Sequence, residues 1–265
     1  MARRALSTAS IGWSSSITFA TLGTAVTTLV LVPGLNVLFT VLLGADLAAN
    51  DTVRIGCATA LIATLSSVAA GIVARVATDR WIGVFEYVCT ARPVDASYWL
   101  GAAAVPALLA SVTGLSNVGI VWLLSLAAPS TGEASGLLVG TILLMPVAIL
   151  GGVCLGIFAA GLGLYLSDPY TGSNFLSIIL PVSAGVIVPV STYPAWLAWV
   201  CSWVPGSRLV QALDTSGSIA SSTTPNFFAL LAADTALAVL YAAIGLGLTV
   251  LAARRIRAGA RASLL

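Results

Sequence analysis

The chain has 265 residues, 59% hydrophobic and only 8% charged, against about a quarter charged in soluble domains; apolar runs reaching the roughly 20 residues that cross a bilayer mark an integral membrane protein. All eleven basic residues are Arg, so there is no phosphate-gripping lysine or Schiff base, and without His no Ser-His-Asp triad, histidine metal site or histidine proton relay. The net charge of +2 is too small to argue for nucleic acid, and any work driven by ATP needs a partner chain.

The first apolar stretch covers about 17–44. It is too long for a cleavable signal peptide and runs through Pro33 and Gly34 with no A-x-A-like cleavage site, so it is expected to remain as a span. Ser14, Thr18, Thr21, Ala25 and Thr28 recur at three- and four-residue intervals, which puts hydroxyls along one helical face. Such a stripe either lines a polar path or bonds its own helix and its neighbours. Pro33-Gly34, with Asn36 beside it, predicts a kink. A second stretch covers 53–74. After it, Asp79 to Cys89 reads as a short amphipathic helix: Thr78 or Asp79 offers an N-cap, Trp81, Phe85 and Val88 share a face, and Pro93 ends the run. This helix either anchors the chain, with Trp81 and Tyr87 at headgroup depth, or presents its polar residues to a cytoplasmic protein. Asp95 then offers an N-cap for a third stretch, 98–127.

A fourth stretch, 135–166, holds two small-x-x-x-small pairs, Gly136 with Gly140 and Gly152 with Gly156, which suit close helix packing. A fifth covers 174–190. Beyond Pro189, Trp196, Trp199 and Trp203 follow helical spacing in a segment too short to cross, as expected of an outer interfacial belt. The last stretch, 227–252, places Asp234 about eight residues in, or ~12 Å deep at ~1.5 Å per residue. An acid at that depth is a functional candidate unless it pairs with Arg54 or Arg208 or reaches the headgroups. Cys57, Cys89, Cys154 and Cys201 form no C-x-x-C pair and read as packing residues.

The runs are too long, and too apolar on every side, for barrel strands. The expected fold is therefore all-α: one transmembrane domain over 1–265, with six spans. Six spans put both termini on one side. Cytoplasmic termini place Arg3, Arg4, Arg75, Arg80, Arg92, Arg254, Arg255, Arg257 and Arg261 inside and only Arg54 and Arg208 outside, as the positive-inside rule requires. The expected location is the plasma membrane, and the all-Arg, Ala-rich usage points to a GC-rich bacterial genome by codon arithmetic.

The segment Arg80 to Gly101, RWIGVFEYVCTARPVDASYWLG, resembles the coupling-helix segment of the type-2 family of ABC transporter permeases. In that family an acidic-Arg pair precedes a Gly, a Glu and a Thr-Pro-Val-like turn. Asp79-Arg80, Gly83 and Glu86 match, while Ala91-Arg92 is inserted between Thr90 and Pro93. The segment from Gly161 to Asp214 is similar to the family's signature region: an Asp-containing inner turn, a span ending near Pro189, Tyr-Pro-Ala-Trp, then Pro-Gly-Ser-Arg. The closing motif usually begins Asn-Pro, and here it begins Val204-Pro205. The likeness extends over nearly the whole chain.

The resemblance implies a half-size permease that pairs with a second permease, identical or homologous, and with two ATP-binding subunits that hold ATP and Mg. The cargo would be a drug, lipid, peptide or glycan moved outward. Asp79, Arg80, Gly83 and Glu86 would couple to the ATPase. Trp196, Trp199, Trp203 and Arg208 would belong to short re-entrant helices forming an outer gate, and Thr18, Thr21, Thr28 and Asp234 would be candidates for the translocation path. The permease itself would have no catalytic residue, metal site or bound cofactor. Other readings are an ion-coupled secondary transporter, for which Asp234 is the one ionisable candidate, a membrane enzyme, for which no paired carboxylates or thiolate site exist, and a non-transporting scaffold.

Overall fold

The computed structural model of the chain describes residues 21–46, 51–91, 96–127, 133–216 and 225–262, together with Ser10 and Trp13. Ser14, Thr18, Arg92, Pro93 and Asp95 lie outside the described residues. The described regular structure is entirely helical, as the uninterrupted apolar runs require. Among the described residues five helices are long and apolar enough to cross a membrane: α1 (Leu22–Asp46), α2 (Thr52–Trp81), and α4, α5 and α9, whose apolar parts are Ala96–Leu126, Ala134–Gly163 and Phe227–Gly259. This is the make-up of a polytopic helical membrane protein. The full α4, α5 and α9 span Ala96–Ala127, Glu133–Gly163 and Pro225–Ala262. Shorter helices fill the connections: α3 (Val84–Ala91), α6 (Thr171–Ser183), α7 (Ala195–Cys201) and α8 (Ser207–Ser216).

Helix α1 opens on a capping box in which Thr21 and Thr24 satisfy each other's first-turn donors. The expected kink at Pro33 takes another form. Residues Thr27–Leu31, the turn just before it, are a π-helix. Proline has no N–H and its ring crowds the carbonyl four residues back, so the wider turn accommodates it.

Small residues set the distances between the long helices. A Cβ on Gly152 would lie 2.5 Å from the Leu65 carbonyl oxygen, and one on Gly156 3.0 Å from Ala69 Cα. Helices α2 and α5 therefore touch backbone to backbone. Gly71 faces Pro106, Gly56 faces Val121 and Gly34 faces Ile120, which draws α4 against α2 and α1. Cores of Leu, Ile, Val and Ala fill the seams. Large apolar side chains such as Phe39, Leu143 and Phe228 face outward, as lipid-facing surfaces do.

These contacts fix direction. Helices α2, α5 and α9 run from the end marked by Arg54 to the end marked by Arg80: Gly161 and Phe158 of α5 meet Gly245 of α9, and the Tyr165 hydroxyl donates to the Leu248 carbonyl. Because α5 and α9 are parallel, the chain between them must return. Helix α6 makes the return. It starts beside Ala159 at the Arg80 end and leads to Gly185 and Val186, whose carbonyls accept from Arg54.

The stretch 174–190, expected as a span, thus holds only residues 174–183 of α6, a helix of 13 residues that begins at Thr171 and is ~20 Å long at ~1.5 Å per residue. The helix stops because Gly185 takes φ +68. Its N–H bonds to the Val182 carbonyl and that of Val186 to Pro181, a Schellman motif that only a residue tolerant of positive φ closes without strain.

Candidate functional site

Three places concentrate polar chemistry. The first is the connection at the Arg80 end. The sequence places Thr78 or Asp79 at the start of the amphipathic helix; in the structure α2 continues through Trp81 and the short helix begins at Val84. The division falls at Gly83, where φ is +75 and a Cβ would meet nothing within 4 Å, so backbone conformation alone demands the glycine. Asp79 is consequently inside α2 and only 3% exposed. It accepts a 3.0 Å hydrogen bond from the Tyr98 hydroxyl of α4 and lies 3.5 Å from Arg75 Nε.

Arg80 is likewise committed: its guanidinium donates to the Gly163 and Leu166 carbonyls at 2.8 and 2.9 Å, neutralising the C-terminal end of α5. These two expected coupling residues are internal struts.

The buried face of α3 is Phe85 and Cys89, one helical turn apart, in place of the Trp81, Phe85 and Val88 row. Phe85 packs edge-on against Tyr98, and the Cys89 carbonyl accepts a 2.6 Å bond from Arg257 Nε of α9. Burial pushes the Cys89 thiol above its ordinary pKa, the Arg257 charge opposes the rise and Glu86 adds to it. Clamped on this side, α3 presents Glu86, Tyr87 and Thr90 on the other, and Trp81 and Ile82 of the preceding turn are 67% and 65% exposed beside them. Of the expected coupling set, Glu86 stands on that open face and Gly83 is exposed in the turn before it.

The second place is a cleft of about 670 Å³ between α1, α2 and α4. Leu29, Gly71, Val105, Pro106, Leu109 and Ala110 make its apolar wall; Arg75, Thr78 and Asp79 give it a polar end next to α3. Thr28, from the π-helical turn, lines it too. The Thr28 hydroxyl donates back to the Thr24 carbonyl at 2.7 Å, leaving oxygen lone pairs for a guest. Thr21 is the N-cap of α1, and Thr18 lies outside the described residues. Of the expected hydroxyl path, the structure brings Thr28 to the cleft, together with Arg75, a residue that span-by-span reading left as a topological marker.

The third place is the α7–α8 hairpin. Its turn at Gly206 packs on Ile62 and Leu65, ~15–20 Å along α2 from Thr52 at ~1.5 Å per residue. The Trp203 carbonyl accepts from Tyr241, and α8 then climbs back to the Arg54 end. There Asp214 receives two bonds from Arg54, at 2.7 and 2.9 Å. The hairpin thus dips into the bundle and returns. At its turn the Trp203 carbonyl and the Gly206 N–H both find protein partners, as backbone at membrane depth must.

Asp234, 2% exposed, holds the turn: both carboxylate oxygens accept from the Gly206 N–H, at 3.0 and 3.2 Å. A carboxylate at the start of α8 also complements the positive end of that helix. Asp234 pairs with neither arginine through a salt bridge among the described residues. Arg208 instead donates to the Ala233 carbonyl at 3.3 Å. Trp196, Trp199 and Trp203 are all exposed, with Trp199 and Trp203 in edge-to-face contact at 6.1 Å.

Among the described residues no cluster of three or more His, Cys, Asp or Glu forms a metal site, and the four cysteines are buried and unpaired. No protein-family model matches the chain, and no curated protein matches it in sequence.

Proposed function

We propose that this chain is the transmembrane subunit of an ATP-binding-cassette exporter, driven by ATP hydrolysis on separate subunits. The observation that carries the reading is α3: a short helix pinned by Phe85, Cys89 and Arg257 to three long helices, with Glu86 and Tyr87 left open beside exposed Trp81 and Ile82. An open acidic and aromatic face on a rigidly held helix fits docking to a basic cleft, where an ionised Glu86 fixes register and orientation. Pushing α3 moves Phe85 against Tyr98 and, through Asp79 and Arg75, the polar end of the cleft.

In this reading the Arg80 end is cytoplasmic. Among the described residues Arg75, Arg80, Arg254, Arg255 and Arg257 gather there, against Arg54 and Arg208 at the other end, which agrees with the positive-inside rule. With α6 as a short sixth crossing, both termini are cytoplasmic in the plasma membrane. Two ATPase subunits, holding ATP and Mg, and a second permease, identical or homologous, complete the complex, and the cleft of α1, α2 and α4 takes an amphipathic cargo such as a drug, lipid, peptide or glycan. The ion-coupled alternative loses its main support, because the Asp234 carboxylate is committed to Gly206.

The test is purification in mild detergent with identification of associated chains, followed by ATP-dependent transport in vesicles. Glu86→Arg should abolish co-purification of the ATPase or uncouple its turnover from transport while leaving thermal stability unchanged, since an exposed substitution shifts stability by no more than about 0.5 kcal/mol. Normal assembly and transport in that variant, or solute movement by the lone subunit without nucleotide, would refute the proposal.

A further inference from the structure

The cleft between α1, α2 and α4 is sealed toward one end of the bundle and open toward the other. On the Arg54 side, Gly34, Val37, Val41 and Gly44 of α1 form a buried seam at three- and four-residue intervals, with Gly34 against Ile120 and Gly44 against Ile55. On the Arg80 side the seam stops, and no residue of 21–33 is buried. The parting begins at Pro33 and the π-helical turn before it. Thr28 and Ser67 line the cleft and are exposed, although Ser67 lies midway along α2, at a depth where hydrocarbon surrounds the protein. The cleft therefore opens sideways into the membrane.

Its length matches one leaflet. The lining runs along α2 from Ser67 to Thr78, ~17 Å at ~1.5 Å per residue, against ~15 Å for half of a hydrocarbon core of ~30 Å. The wall between is apolar, with Leu29, Val105 and Leu109. At the deep end the hydroxyls of Thr28 and Thr113 donate to carbonyls of their own helices, so they turn no unmet donor toward an apolar chain. At the shallow end Arg75 Nε lies 3.5 Å from Asp79, one positive charge against one negative, so this end carries no net charge. Thr78 is exposed there. Its hydroxyl donates to the Ala74 carbonyl at 2.9 Å, so it offers a guest an oxygen acceptor.

We propose that the cleft admits, from its side, one zwitterionic phospholipid of the leaflet at the Arg80 end. An acyl chain lies along Leu29, Val105 and Leu109, the phosphate meets the Arg75 guanidinium, and the head-group ammonium donates to the Thr78 oxygen. An anionic lipid would bring into this partly buried neck a charge that the Arg75–Asp79 pair does not balance, and an unmatched buried charge is costly; a zwitterion brings none. The cargo class narrows accordingly to a molecule dissolved in the membrane, in place of a peptide or glycan taken from water. That the lipid is cargo rests on the transport reading, whereas its seat in the cleft does not.

The experiment is native mass spectrometry of the whole purified subunit, without any ATPase, titrated with phosphatidylethanolamine or phosphatidylglycerol. The wild type should retain one phosphatidylethanolamine per chain and prefer it to phosphatidylglycerol by about tenfold, or about 1.4 kcal/mol. Leu29→Trp, which narrows the cleft from α1 without touching its charged end, should weaken retention by a similar factor. Asp79→Asn keeps an oxygen for the Tyr98 hydroxyl but unbalances Arg75, and should swing the preference to phosphatidylglycerol, a reversal that loosened structure alone does not produce. Equal retention of the two lipids by the wild type, unchanged retention in Leu29→Trp, or an unchanged preference in folded Asp79→Asn would each overturn the proposal; the first two serve if Asp79→Asn folds poorly. Such a failure is distinct from failure of the transport reading, which is read from co-purification of the ATPase.

Discussion

Replacing Asp234 tests whether the acid inside α9 is a structural cap or a carrier of charge. In the structure its two oxygens share the Gly206 N–H at 3.0 and 3.2 Å, and the residue is 2% exposed. Asp234→Ala leaves that buried N–H without its acceptor and removes the anion from the start of α8. A hydrogen bond to a charged group is worth about 1.5–3 kcal/mol, and the helix-end interaction adds up to about 1, so the expected destabilisation is about 2–4 kcal/mol. Asp234→Asn keeps an oxygen acceptor while losing the charge, and should cost about 1–2 kcal/mol on the same grounds.

Unfolding in mild detergent or nanodiscs at neutral pH measures both variants. Cys201 supplies a local readout, because it is buried at the end of α7 next to the turn. In Asp234→Ala the hairpin should loosen and Cys201 should react with a maleimide faster than in the wild type, with Asp234→Asn between the two. A variant Asp234→Asn of native stability and native Cys201 protection that nonetheless loses transport would refute the capping argument and reinstate a proton- or ion-carrying role.

Arg54 makes two bonds to Asp214 and two to the carbonyls of Gly185 and Val186. Breaking a buried pair costs about 3–5 kcal/mol, but the Asp214 side chain is 34% exposed, so Arg54→Met should cost about 2–3 kcal/mol. Additivity of Arg54→Met and Asp214→Asn in an unfolding cycle would show that no pair exists. Gly245→Ala places a Cβ 2.5 Å from Phe158 Cα and 2.6 Å from the Ile157 carbonyl, and overpacking of that kind should cost about 1–3 kcal/mol. Gly247→Ala, with nothing within 4 Å, is the matched control and should be neutral or slightly stabilising; equal effects would sink the close-contact account. Tyr98→Phe should lose about 1–3 kcal/mol, measured in the same unfolding assay, by stripping the buried Asp79 of a 3.0 Å donor. For Cys89, whose thiol pKa is raised by burial, the thiolate appears only at higher pH than for an ordinary cysteine. Maleimide labelling of a Cys89-only variant should therefore be slow near pH 7 and rise late, and labelling at a free thiol's rate would contradict the placement of α3.

How much of this was legible beforehand depended on the range of the signal. Apolar runs are local and long, so the all-helical character and five of the helices could be read from composition along the chain, and a Trp row marked the short helices after Pro189. The length of the fifth helix is not legible in the sequence, because hydropathy does not register a backbone reversal: residues 174–190 are apolar on both sides of Gly185, yet the left-handed glycine ends α6 after 13 residues. The start of α3 is hidden from the sequence for a related reason. Asp79 has the chemistry of a cap, but a hydroxyl from Tyr98, brought near only by folding, satisfies it within α2.

The residues of the candidate sites divide along the same line. Glu86 was visible as an acid in an amphipathic segment, whereas the commitment of Arg80 to the end of α5, and the meeting of Thr28 with Arg75 in one cleft, bring together residues far apart in the sequence. Sequence by itself determined the solvent this chain is built for, because 59% hydrophobic and only 8% charged residues cannot cover a water-facing surface. Tertiary structure alone decided which charges are struts and which stand open. An Arg or Asp has many possible partners along a chain, and only the packing of α2, α5 and α9 selects the ones within hydrogen-bond reach.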